Sequence, residues 1–142
     1  MNNDDVVKIT EEEKKASEVN RDKRTKTVRE LPVFRDVSNL AFVIEQILMN
    51  CPRKFRCSVD ESERIMTQLL QSLDMANEVV ELRRECCSEA HSLLIALMVR
   101  MDILHRLHVI DKDTWNKVKK LCTSAIAQVA GWRRSVVAQG SI

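Results

Sequence analysis

The sequence predicts an all-α protein: an antiparallel up-down four-helix bundle with a flexible charged N-terminal tail, assembling as a homo-oligomer. Three observations support the helical class. The 142 residues include only two Gly and two Pro, and they are rich in Leu, Met, Ala, Glu, Lys and Arg, which favour helices. No segment alternates Val, Thr and Tyr between turn residues as strands do, and Tyr is absent. Apolar residues instead recur at spacings of three and four in four separate stretches.

Two units are expected, a tail over residues 1–30 and the bundle over residues 31–142. The tail carries eight basic and eight acidic side chains and few large apolar ones, so burial cannot offset the entropy of ordering it. Thr10 and Glu13 form a capping-box pattern, which leaves a short docked helix as the alternative. The polar, charged N-terminus argues against a signal peptide.

Proline and capping patterns place the first two helices. The first helix is expected to begin near residues 31–32, since Pro suits an early helical position. It should end at Asn50, because Pro52 disfavours helix in the residue before it. Ser58 and Glu61 make a capping box that starts the second helix. The predicted core residues are Val33, Val37, Leu40, Ala41, Ile44, Ile47 and Leu48 in the first helix, and Ile65, Leu69, Leu73, Ala76 and Val80 in the second.

The last two helices are bounded by polar segments rather than by Gly or Pro. The break before the third helix is placed at the polar residues 81–88. A turn over residues 108–113 follows that helix, and Asp111 or Asp113 can cap the fourth. The predicted core residues are Ala90, Leu93, Leu94, Leu97, Met101, Leu104 and Leu107 in the third helix, and Trp115, Val118, Cys122, Ala125, Val129, Trp132 and Val136 in the fourth.

The third helix has more apolar surface than one core needs. With Leu104 at the centre of the inner face, Ile95 points about 180° away, and Val99 and Ile103 lie about 100–140° off that centre. A helix that is apolar nearly all round is usually buried on both sides. In a small bundle the expected cover is another subunit, so these three residues are the predicted subunit interface. A rotated core or a docked tail are the alternatives.

Composition and cysteine usage predict a soluble, cytoplasmic protein with no membrane partner. The longest apolar run, at residues 93–99, is far shorter than the roughly 18 residues that a membrane span needs. The five cysteines are odd in number and lack the CxxC spacing of metal sites. They are therefore expected to be free thiols in a reducing compartment.

No catalytic site, metal site or cofactor is predicted. A di-iron bundle needs a Glu-x-x-His motif on each of two helices, whereas the closest pattern, at residues 102–105, occurs once. Cys86 and Cys87 lie near His91, but the neighbouring acidic residues would raise a thiol pKa rather than activate it. The chain also has no Gly-rich phosphate loop.

The distribution of basic residues says more about a partner than the cysteine and histidine patterns do, because these residues are concentrated in one part of the chain. Residues 57–99 carry eight acidic and three basic side chains, and residues 100–142 carry the reverse. Five basic residues of the fourth helix fall within a sector of roughly 140°, about 120° from its apolar stripe. These are Lys112, Lys119, Lys120, Arg133 and Arg134. Joined by the basic loop at residues 53–56, they would attract a polyanion; an ordinary solvated helix face is the alternative.

Several short motifs coincide with a known family. They are LPVF at residues 31–34, CPRKFR at residues 51–56, MDILHRL at residues 101–107 before Trp115, and GWRRS at residues 131–135. This arrangement resembles the four-helix-bundle superfamily of 23S rRNA intervening-sequence proteins. The closing motif is most similar to the accessory variability determinant (Avd) proteins of diversity-generating retroelements. The resemblance covers about residues 31–136, and the charged tail is not part of the family pattern.

The resemblance implies a homopentameric, non-catalytic accessory protein with no cofactor. Such a protein binds a reverse transcriptase, and RNA or an RNA–DNA hybrid, through a basic surface. The basic positions that match the family are Arg53, Lys54, Arg56, Arg100, Arg106, Arg133 and Arg134. A second surface, the acidic stretch of the second helix, could help dock a basic polymerase, and an ordinary solvated face is the alternative. Its residues are Asp60, Glu61, Glu63, Asp74, Glu78 and Glu81. An interaction or scaffold bundle of the intervening-sequence type, with no nucleic-acid role, is the alternative.

Overall fold

The computed structural model describes residues 32–140, and side chains as far as residue 136. Within these residues the chain is helical and contains no strand, which confirms the predicted class. The four helices are α1 (Pro32–Met49), α2 (Arg56–Glu78), α3 (Arg83–Arg106) and α4 (Lys112–Gly140). The predicted tail, with its capping pattern at residues 10–13, lies outside the described residues.

Helix α3 lies at the centre of the bundle. It packs against both α2 and α4, whereas α1 packs mainly against α4. The buried apolar side chains of all four helices form one core. The largest of them that are fully buried include Leu40, Ile44, Leu69, Leu73, Leu94, Leu97, Met101 and Leu104. Within residues 32–140, no helix is both long and apolar enough to cross a bilayer.

Most residues of the predicted core stripes are buried, with Ala41, Ile47 and Leu93 partly buried against the core. The larger departures lie at helix ends. Val80 and Leu107 were expected inside but are exposed. Val80 lies in a separate 3₁₀ turn, Val80–Leu82, and Leu107 follows the last residue of α3. The helical period no longer directs a side chain inward once the helix has ended. At the end of the fourth stripe, Trp132 and Val136 are only partly buried.

The start of α2 differs from the predicted capping box. The helix begins at Arg56, two residues before Ser58, and no side chain caps it. A 3₁₀ turn, Arg53–Phe55, precedes it, in which the Phe55 N–H donates to the Pro52 carbonyl at 2.9 Å. Ser58 therefore lies inside the first turn of the helix, where its hydroxyl cannot act as the N-cap.

The break between α2 and α3 is short and lies earlier than predicted. Residues 81–88 were expected to be irregular, but α3 already begins at Arg83. The Arg83 side chain closes the end of α2, donating to the carbonyls of Ala76 at 2.7 Å and Asn77 at 3.0 Å. These carbonyls would otherwise lack partners at a helix end. Its guanidinium also lies 5.4 Å from the Trp132 ring centre.

Helix α3 ends in a Schellman motif built on a histidine. The Val109 N–H donates to the Leu104 carbonyl at 2.9 Å, and the His108 N–H donates to the His105 carbonyl at 3.0 Å. His108 has φ of 63°, the left-handed conformation that Gly usually supplies at this position. Asp111 then caps α4 as predicted, since its carboxylate accepts the Thr114 N–H at 2.7 Å. That bond lowers the pKa of Asp111.

Replacing His108 with Gly is expected to raise the free energy of unfolding by about 0.5–1 kcal/mol. Glycine removes the steric cost of the left-handed backbone, and the gain is reduced by the greater freedom of Gly in the unfolded chain. His108→Ala is the matched control, because it removes the ring but keeps the strained conformation. Urea unfolding of the three proteins checks this, and an Ala variant as stable as the Gly variant would contradict it.

Candidate functional site

The loop between α1 and α2 presents three basic side chains to solvent. Arg53, Lys54 and Arg56 are all exposed. Phe55 between them is half-buried and packs against the core, and the Lys54 ammonium lies 5.4 Å from its ring centre. The aromatic side chain therefore fixes the 3₁₀ turn to the bundle and holds the neighbouring cations outward.

The basic residues of α4 are exposed but lie on two sides of the helix. The Lys119 ammonium lies 5.5 Å from the ring centre of the buried Trp115. Arg133 also lies on the α3 side, near enough to Cys87 to oppose the rise in the pKa of that thiol. Lys120 instead lines a groove between α4 and α1. The basic residues that were predicted to share one sector of α4 therefore lie along two edges of the helix, one toward α3 and one toward α1. Lys112 and Arg134 are also exposed.

The two basic residues predicted on α3 are less available than the others. Arg106 forms an ion pair with Asp102, with 3.1 Å between Nε and Oδ2. Arg100 is half-exposed and lies near Glu61 of α2. The pKa of Glu61 is lowered mainly by its hydrogen bond from Arg64, with a smaller contribution from Arg100. Both residues therefore face nearby carboxylates, which weakens their attraction for an external anion.

The acidic surface of α2 faces solvent. Its predicted docking residues are exposed except for Glu61, which binds Arg64. The exposed ones are Asp60, Glu63, Asp74, Glu78 and Glu81. They form no ion pair with a described basic side chain. This surface has the charge that a basic partner protein requires.

The predicted subunit-interface residues form an exposed apolar stripe on α3. Ile95, Val99 and Ile103 are 41%, 52% and 40% exposed. Their outward position confirms the geometry expected from the helical period, even though α3 packs against two neighbours. The three side chains thus form an apolar patch on an otherwise polar surface of the helix.

A groove between α1 and α4 was not predicted from the sequence. Asp36, Phe42 and Val43 line one wall, and Lys117 and Lys120 line the other. The Asp36 carboxylate accepts hydrogen bonds from Ser124, at 2.7 Å, and from Gln128. The only signal in the sequence was an aromatic residue, Phe42, lying off the core stripe of its helix.

The three buried cysteines of the bundle are unsuited to nucleophilic chemistry. All five are free, and Cys86, Cys87 and Cys122 are buried. Burial raises the pKa of Cys87 to about 11 and that of Cys122 to about 12. Burial also raises the pKa of Cys86, with further contributions from Glu89 and Glu85. The expected effect of the acidic neighbours on Cys86 is therefore confirmed.

His105, considered above as part of a metal motif, has a packing role. Its Nδ1 lies 3.0 Å from the Ile110 carbonyl oxygen, and its ring stacks on Trp115 with centres 5.6 Å apart. These contacts join the end of α3 to the start of α4. No group of three or more potential metal ligands occurs among the described residues.

Comparisons of the chain with protein-family models, curated proteins and solved structures find no match. The family resemblance of the sequence motifs therefore stays a prediction. Three surfaces of the bundle have the chemistry of binding sites: the exposed basic side chains, the apolar stripe on α3 and the groove between α1 and α4.

Proposed function

We propose that this protein is a non-catalytic accessory protein that binds RNA or an RNA–DNA hybrid through basic side chains of a ring-like homo-oligomer. In line with the Avd resemblance, the complex serves a reverse transcriptase in the cytoplasm. The observation that carries the proposal is the state of the basic residues. Eight of the ten candidates are exposed and form no ion pair with a described carboxylate. Unpaired surface cations of this kind attract a phosphate backbone.

Contacts between neighbouring helices support an antiparallel up-down arrangement. Asp36 near the start of α1 binds Gln128 late in α4, whereas Gln46 near the end of α1 lines a hollow with Thr114 at the start of α4. Arg83 at the start of α3 likewise binds Ala76 near the end of α2. In this arrangement the basic 53–56 loop lies at the same end of the bundle as the α3–α4 turn.

The apolar stripe on α3 supports the oligomeric part of the proposal. Ile95, Val99 and Ile103 occupy successive turns of α3, so a second subunit could cover all three at once. A pentamer is the number that the Avd resemblance implies. Each added subunit repeats the basic surface and so strengthens the field that attracts a polyanion.

The proposal is tested by light scattering on the purified protein, with and without a structured RNA, at low and high salt. A pentameric mass that rises with RNA at low salt, and less at high salt, is expected. Val99→Asp should lower the mass toward that of one chain, because it buries a charge in the interface. Thr67→Asp, at an exposed position on α2 outside the stripe, is the control. A monomer indifferent to RNA at both salts would contradict the proposal.

The second candidate is a scaffold bundle without a nucleic-acid role, and the exposed acidic surface of α2 favours it. That surface suits a basic protein partner whether or not RNA is bound. A reverse-transcriptase gene beside the coding sequence, together with an adenine-rich template repeat, would favour the accessory role over the scaffold.

A further inference from the structure

The groove between α1 and α4 is a second surface with binding chemistry. It consists of two hollows, of about 470 Å³ and 270 Å³. Val43 and Lys117 line both hollows, so the two lie end to end along the helices. On the α1 side the groove extends from Asp36 to Asn50, a rise of roughly 21 Å at 1.5 Å per residue. A depression of this length accommodates an extended chain rather than a compact small molecule.

Phe42 is the main apolar feature of the groove. Its side chain is 65% exposed, although the next residue, Val43, is buried in the core. The helix backbone is therefore held in place while the ring faces solvent. The exposed rim of α1 along the groove combines this ring with polar amide side chains. The exposed residues that line it on this side are Asn39, Phe42, Gln46 and, just after α1, Asn50.

Two lysines face the ring from the opposite wall. Lys117 and Lys120 are exposed and form no ion pair with a described carboxylate. Asp36 lines the same groove, but its side chain is only 14% exposed and its carboxylate is engaged by Ser124 and Gln128. Asp111, at the other end, caps α4 through Thr114. Lys117 and Lys120 bring two positive formal charges to the larger hollow against the one negative charge of Asp36, so the net charge there is positive.

We infer that this groove binds a single-stranded segment of RNA, with one base stacked on Phe42 and the adjoining phosphates held by Lys117 and Lys120. The inference rests on the proposed function and goes beyond it, because it assigns a site for unpaired bases. An exposed aromatic ring beside cations is the arrangement by which proteins bind single strands. A duplex hides the faces of its bases within the stack, so it gains nothing from the ring.

The charges of the groove favour RNA over a second copy of the chain as its occupant. In a two-fold contact the same patch meets itself, which would bring Lys117 and Lys120 toward their own copies across a partly apolar surface. Like charges facing one another oppose such a contact. In a ring the groove would meet a different patch, and against the apolar stripe on α3 the two lysines would be buried with no carboxylate among the three stripe residues. Phosphates, in contrast, neutralise both lysines.

The test compares Phe42 variants of the full chain in fluorescence anisotropy, using a short single-stranded oligouridylate and a blunt RNA duplex. Phe42→Ala and Phe42→Leu are expected to weaken binding of the single strand at least about fivefold and to leave duplex binding unchanged. Phe42→Tyr keeps the ring and should retain wild-type affinity. Leu107→Ala is the control for loss of an exposed apolar side chain outside the groove.

Each result bears on a different conclusion. Equal affinity of wild type and Phe42→Ala for the single strand overturns the groove assignment while leaving the proposed function standing. Failure of the wild type to bind either RNA at low salt overturns both. A lower solution mass of Phe42→Ala without RNA would show that the groove contacts another protein chain, and the assignment would again be wrong.

Discussion

Changing Lys119, Lys120, Arg133 and Arg134 together to Glu is expected to abolish salt-sensitive RNA binding and to leave the helix content intact. Each change removes an attraction for phosphate and adds a repulsion. If all four side chains contact phosphates, the slope of log K against log salt should fall in magnitude by about three to four. All four residues are exposed, so their loss does not open the core. Filter binding over a salt series and circular dichroism measure the two effects.

A charge-matched pair of double variants separates the chosen surface from net charge. Lys119→Glu with Lys120→Glu changes the charge by the same amount as Arg64→Glu with Arg84→Glu, which lies at exposed positions outside the proposed surface. The first pair should weaken RNA binding far more than the second. Equal losses would mean that only the overall charge matters, and unchanged binding by the fourfold variant would show that another face holds the RNA.

Replacing Leu94 with Ala is expected to lower the free energy of unfolding by about 3–4 kcal/mol. The side chain is fully buried on the helix that packs against both α2 and α4. Its truncation removes buried apolar surface and leaves a cavity that such a crowded site cannot close. This is a large fraction of the roughly 5–15 kcal/mol that stabilises a typical domain.

Urea unfolding at a fixed protein concentration measures this loss, since an oligomer's apparent stability depends on concentration. Leu107→Ala, the same change at an exposed position, should cost less than about 1 kcal/mol. If the two variants unfold at the same midpoint, the inner face of α3 has been assigned wrongly.

The core of the bundle was largely predictable because burial follows the helical period. Leu69, Leu73 and Leu97 were expected inside from spacing alone, and all three are buried. The helix boundaries depend on less local interactions. The end of α2 is closed by Arg83, a side chain that belongs to the next helix, and no pattern within α2 announces it. At Ser58 a local capping pattern was present, but the helix had already begun at Arg56.

The candidate site was predictable only in part, for a related reason. The period of α4 places Lys119 and Lys120 outside, and both are exposed. It says nothing about which neighbour each one faces. Lys120 shares a groove with Phe42 because α1 packs on that side of α4. A surface formed by two helices depends on their packing, which a helical wheel of one helix does not contain.

The burial of the thiols has a practical consequence. Cys57 is exposed, Cys51 is half-buried with its pKa raised by burial, and Cys86, Cys87 and Cys122 lie in the core. Thiol reagents attack the thiolate of accessible cysteines, so one position of the native chain takes up a maleimide dye first. That position adjoins Arg56 in the basic loop. The protein thus supplies its own attachment point for an optical reporter, with no engineered residue needed.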